Sequence, residues 1–108
     1  MDESSGLVVF ISFADAESAH AVGRSLVTDE LAACVHVLPG IAAVYRWQGA
    51  VEEDPQTLLI CKTTEEAWPR LLARAHDLHS DVVPEIIALP IVKGLPAYLA
   101  WMRDVVPG

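Results

Sequence analysis

Residues 33–63, ACVHVLPGIAAVYRWQGAVEEDPQTLLICKT, decide how this chain folds. Two apolar runs rich in β-branched and aromatic residues flank Gln48-Gly49, which supplies a tight turn, so the segment reads as an antiparallel hairpin. Each run contains a proline: Pro39, followed by Gly40, in the first, and Pro55 in the second. Proline has no N–H to give to a central ladder, so both positions are expected at bulges or bends in an edge-exposed portion. Breaks at matching heights divide the hairpin into a base paired within the main sheet and an arm that reaches beyond it. An arm carrying Val44, Tyr45 and Trp47 is an aggregation hazard in a monomer, and in an oligomer it is a clasp.

Outward from the hairpin, LVVFISF (7–13) reads as a buried strand, and residues 1–6 as an N-terminal tail. A helix follows, with Asp15 as N-cap and Ala19, Val22, Leu26 and Val27 at helical spacing down to Glu30. Gly23 weakens this helix unless it marks close packing on the sheet. After the hairpin, Thr63 or Thr64 opens a second helix, with Trp68, Leu71, Leu72, Ala75 and Leu78 as its apolar stripe and Pro69 in its first turn. A last strand, EIIALPIV (85–92), stops at Lys93-Gly94, and LPAYLAWMRDVV reads as a short third helix. The order βαββαβ plus a C-terminal helix predicts an α+β, ferredoxin-like sandwich: an antiparallel sheet with helices on one face, within a single domain over residues 1–108.

The chain is 53% hydrophobic, more than 108 residues readily hide in one core, so the open face of the sheet is expected to meet another subunit. No apolar run approaches the ~18 residues needed to span a bilayer, which argues against a membrane protein. The segment MDESSG lacks the basic and apolar regions of a signal peptide, so the expected location is the cytoplasm, where Cys34 and Cys61 stay free thiols. Fifteen acidic residues against seven basic ones give a net charge of −8 and argue against nucleic acid as a partner.

Candidate metal donors fall in two places. Cys34 and His36 are two apart, so on a strand their side chains share a face. His76 and His79 are three apart near the end of the second helix, with Asp81 beyond. Thiolate and imidazole suit copper, but the plain reading of Cys34 is an inert packing thiol, and that of the histidines a favourable charge at a helix end. A second constellation, Glu52, Glu53, Lys62, Glu85 and Lys93, reads as intersubunit ion pairs or as an anion-binding cleft with Lys62 as partner. Trp47, Trp68, Trp101, Tyr45 and Tyr98 read first as packing aromatics, with Trp47 a candidate cleft residue. Nothing resembles a catalytic triad, so no enzyme activity is expected.

The segments DELAACVHVLPGIAAVYRWQGAVEED, LLICKT and VPEIIALPIVKGLPAYLAWM resemble the signature segments of the CutA family of divalent-cation tolerance proteins, over about residues 7 to 103. The resemblance implies a homotrimer in which the arm clasps the next subunit, a role in copper tolerance, and an architecture shared with the PII signalling proteins. It implies copper or another divalent cation as ligand, and charged groups lining intersubunit clefts, here Glu53, Lys62 and Glu85. Copper-binding relatives carry a cysteine in the first strand and a His-His pair after the second helix. The matching positions here are Ile11, Leu78 and His79, and His36 stands where relatives commonly have asparagine. The expected function is metal-ion response, with a PII-like anion sensor and a trimeric protein scaffold as competing readings.

Overall fold

The computed structural model describes residues 6–108. The elements follow as β1 (Gly6–Phe13), α1 (Ala16–Thr28), β2 (Cys34–Trp47), β3 (Ala50–Thr64), α2 (Trp68–Leu78), β4 (Ile86–Pro90) and α3 (Pro96–Val105). The four strands form one antiparallel sheet in the order β2-β3-β1-β4, the ferredoxin-like order. Of the expected N-terminal tail, residues 1–5 lie outside the described residues and Gly6 already begins β1.

Alternation along the strands builds the core. Val9, Ile11 and Phe13 of β1 point to one face with Leu59 and Cys61 of β3, and meet Ala19, Val22 and Leu26 of α1 and Leu71 and Ala75 of α2. Asp15 caps α1, accepting from the Ser18 N–H at 2.7 Å, and this bond lowers its carboxyl pKa. The apolar stripe is one residue narrower than its spacing suggests, since Val27 is exposed, and the helix ends at Thr28 because Glu30 turns with φ 60. Gly23 sits against the sheet: a Cβ there would lie 2.9 Å from Leu59 Cδ1 and 3.0 Å from Val35 Cγ2. Thr64 Oγ1 accepts from Ala67 N–H at 3.1 Å, which starts the turn leading into α2, and Pro69 falls in that helix's first turn.

Gln48 and Gly49 close the hairpin with φ 49 and 84, the backbone a two-residue turn of type I′ requires. Pro39-Gly40 forms a bulge: the register runs Leu38 opposite Leu58, then Ile41 opposite Gln56, with Gly40 at φ 75. Pro55, by contrast, does not interrupt β3. It pairs with Ala42 beyond Thr57, the last residue of β3 to pair with β1, so β3 there has a free edge that tolerates a residue without an N–H. The last strand is shorter than expected, Ile86–Pro90, although Ile91 N–H still donates to Gly6 O at 2.9 Å.

The bulge has a consequence for the whole arm. One extra residue in β2 reverses its alternation, so Ile41, Ala43, Tyr45 and Trp47 lie on the same side as Leu38 and His36. Without it, Ala42, Val44 and Arg46 would take that side.

Candidate functional site

The face of the sheet away from the helices carries three cross-strand rows. The first is His36, Ile60, Phe10 and Ile87; the second Cys34, Lys62, Val8 and Leu89; the third Leu38, Leu58 and Ser12. Neither α1 nor α2 covers this side, and Leu38, Ile87 and Leu89 are each about half exposed. Within an otherwise apolar face, one corner is chemically different. Cys34 Sγ lies 3.9 Å from His36 Nε2, and Lys62 Nζ lies 3.1 Å from His36 Nδ1. The Tyr98 phenol of α3 comes to the same thiol, and burial first, then Cys34, raises its pKa.

The expected assignment of the two thiols is thereby redistributed. Cys34 is half-buried on the open face, whereas Cys61, one row position away on the opposite face, is fully enclosed and pushed up to about 12 by burial. The inert packing thiol is Cys61. Facing opposite sides of the sheet, the two sulfurs do not pair, and both are free.

The second donor group does not assemble as a helix-surface pair. His76 is exposed in the last turn of α2, but the helix ends at Leu78, and His79 continues in extended backbone with φ −78 and ψ 141. That carries the His79 ring inward, its side chain 1% exposed, where it stacks on Phe13 with centroids 4.5 Å apart. Nε2–H donates to Ser12 O at 2.7 Å and Nδ1 accepts from Asp81 N–H at 3.1 Å. Both ring nitrogens are therefore used in holding the α2–β4 connection onto β1. At the other two positions that the resemblance implied as ligand positions, Ile11 is fully buried hydrocarbon and Leu78 packs against the core. This triplet does not fit a metal ion.

The four cleft residues are divided likewise. Trp47 and Glu85 line one groove of about 950 Å³ between the arm and the connection Ser80–Val83. Glu53 is on the arm opposite Val44, and Lys62 is at the corner with Cys34, so neither joins that groove. Tyr45 donates to the Asp54 carboxylate across the arm, and this bond raises the phenol's pKa. Trp68 packs against the core, while Trp47 and Trp101 remain about half exposed. Sequence reasoning missed Tyr98 beside Cys34, which no local pattern announces, and the Lys62–His36 contact, which the bulged register of the hairpin does announce once the extra residue is counted. Among the described residues no cluster of three or more His, Cys, Asp or Glu could hold a metal ion.

A bulged hairpin arm on a ferredoxin-like sheet whose open face is apolar defines an α+β protein of a narrow type. The chain belongs to the CutA1 divalent ion tolerance protein family, whose model matches residues 7–105. It is 47% identical over 97 residues to the divalent-cation tolerance protein CutA of Thermus thermophilus, covering 90% of this chain and 94% of that protein. It is 39% identical over 108 residues to the chloroplastic protein CutA of Arabidopsis thaliana, covering 96% of this chain but only 59% of that longer protein. Among solved structures, that of CutA from Xylella fastidiosa superimposes with a TM-score of 0.93 at 36% identity, covering 96% of this chain and all of the other.

Proposed function

We propose that this chain forms a cytoplasmic homotrimer that serves in tolerance of divalent metal ions, copper among them, without catalysing a reaction. The family supplies the metal role, and the open face of the sheet carries the assembly. Val8, Phe10, Leu58, Ile60, Ile87 and Leu89 lie together on a side that neither α1 nor α2 covers, with Ile87 and Leu89 each 52% exposed. An apolar surface of this kind on a small chain is the mark of an interface. The buried Cys61, its thiol pushed up to about 12, agrees with a protein that runs no thiol chemistry in its core. A net charge of −8 speaks against nucleic acid as a partner, and among the described residues no helix is long and apolar enough to cross a membrane.

Native mass spectrometry of the purified protein should give a mass of three chains; a monomer at micromolar concentration would overturn the assembly. Cells lacking the protein should grow more poorly in raised copper, and unchanged tolerance would remove the metal role. One observation favours a second reading, a PII-like sensor of a small anion. Among the described residues the Lys62 ammonium has no carboxylate within salt-bridge distance, as an anion-binding lysine requires. That reading predicts nucleotide or metabolite binding abolished by Lys62→Ala. A trimeric scaffold for a protein partner predicts neither ligand.

A further inference from the structure

We propose that Cys34 and His36 form a two-coordinate site for a soft monovalent cation, copper(I), with Lys62 as the resident cation that the metal displaces from the imidazole. The inference deepens the metal role proposed above and rests on it for its cellular meaning, but its geometry stands by itself. The two donors are adjacent same-face residues of β2, so the strand fixes their spacing and no loop has to order to bring them together.

Cys34 Sγ and His36 Nε2 are 3.9 Å apart, so both donors would be within reach of a single ion bound at the roughly 2.0–2.3 Å typical of nitrogen and sulfur ligands. Thiolate and imidazole are donors that soft copper favours, and a zinc ion would still lack the two further ligands of its usual four. The described residues offer no third His, Cys, Asp or Glu to complete such a set.

Charge favours the monovalent ion. Binding forms one Cu–S and one Cu–N bond; the Cys34 thiol proton leaves to solvent, and no electron is transferred. A thiolate with copper(I) carries no net charge, like the thiol it replaces. A divalent ion on the same two donors would add a positive charge at a corner that also carries the Lys62 ammonium, tethered opposite Cys34 even after it leaves the ring. The corner therefore discriminates by charge as well as by ligand number.

The Lys62–His36 contact fixes the ring's proton. An ammonium has no lone pair, so Lys62 can only donate to Nδ1, which leaves the neutral ring's hydrogen on Nε2, towards the sulfur. A metal on Nε2 requires that hydrogen on Nδ1 instead, facing Lys62, and the flexible lysine must swing away. Lys62 thus holds the metal-free site closed and opposes loading.

The test is an anaerobic titration of the whole assembled protein with copper(I) against a chromophoric copper(I) chelator, alongside calorimetry with zinc(II). We expect one copper(I) per chain in the wild type, and binding weakened by about tenfold or more in both Cys34→Ser and His36→Asn. Lys62→Met should bind copper(I) several-fold more tightly, and zinc(II) should bind at least tenfold more weakly than copper(I). His36 is exposed, so His36→Asn removes no core contact, and circular dichroism verifies the fold for all three variants. Wild-type binding that is unchanged in both ligand variants overturns this site and leaves the metal role standing. If the wild type binds neither metal, the site is overturned, while the tolerance role is decided separately by the growth of cells lacking the protein in raised copper. Weaker copper(I) binding in Lys62→Met would overturn the displacement by lysine.

Discussion

His79 shows how far one backbone angle can redirect a side chain. Its extended conformation after Leu78 turns the ring under the sheet, where stacking on Phe13 and two hydrogen bonds use all that it offers. Replacing it by alanine removes a buried ring and leaves Ser12 O and Asp81 N–H without their partner. His79→Ala should lose roughly 2–4 kcal/mol of stability in urea unfolding while metal binding by the folded protein is unchanged. A loss below ~1 kcal/mol would contradict the structural role. Tyr45 offers a spectroscopic check on the arm. Its neutral phenol is favoured by donation to Asp54, so the folded value lies above the ordinary 10.0. Whatever this bond contributes is present below the unfolded tyrosine value and is lost as pH rises through the folded one. Ultraviolet titration should find both tyrosines ionising late, Tyr98 through burial, with one of them moving down in Asp54→Asn.

Two glycines at the scale of the elements have different reasons for being glycine. Gly23 has ordinary helical backbone, and a methyl group would recover about 1 kcal/mol of helix propensity. It would also push into Leu59 and Val35 at 2.9 and 3.0 Å, and overpacking a filled interface costs about 1–3 kcal/mol. The steric cost wins, so Gly23→Ala should lower the urea midpoint, and an unchanged or raised midpoint would show that α1 can lift off the sheet without cost. Gly40 has nothing within 4 Å of an added Cβ, but its φ of 75 is the conformation β-branched residues avoid. Gly40→Val should therefore cost about 1–2 kcal/mol through the backbone alone. The bulge it supports sets the partner of every β2 residue below it. Counted straight back from the turn, Cys34 would face Thr63; with the extra residue it faces Lys62.

For the molecule as a whole, the apolar open face is the feature still to be covered. Ile87 and Leu89 stand on that face and half exposed in a single chain, so placing glutamates there leaves the helix-side core intact. If the proposed trimer assembles through this face, the double variant Ile87→Glu, Leu89→Glu should keep the far-ultraviolet dichroism of the wild type yet sediment as a lower oligomer, and unchanged sedimentation would count against assembly through this face. Much of this architecture was legible in the chain. Strands with period two, a capped helix after Asp15, a turn at Gln48-Gly49 and a bulge at Pro39-Gly40 are written in local rules of sterics and hydrogen bonding, and these together imply the βαββαβ order and the arm. The candidate site was legible only in part. That Cys34 and His36 share a face follows from strand periodicity, but which face they share depends on where the helices lie. Only the tertiary structure put Cys61, not Cys34, in the core, brought Tyr98 from α3 to the thiol, and drew His79 away from His76. The physical reason is range: backbone rules act over a few residues, whereas burial and the meeting of side chains 26 or 64 positions apart are decided by how whole elements stack.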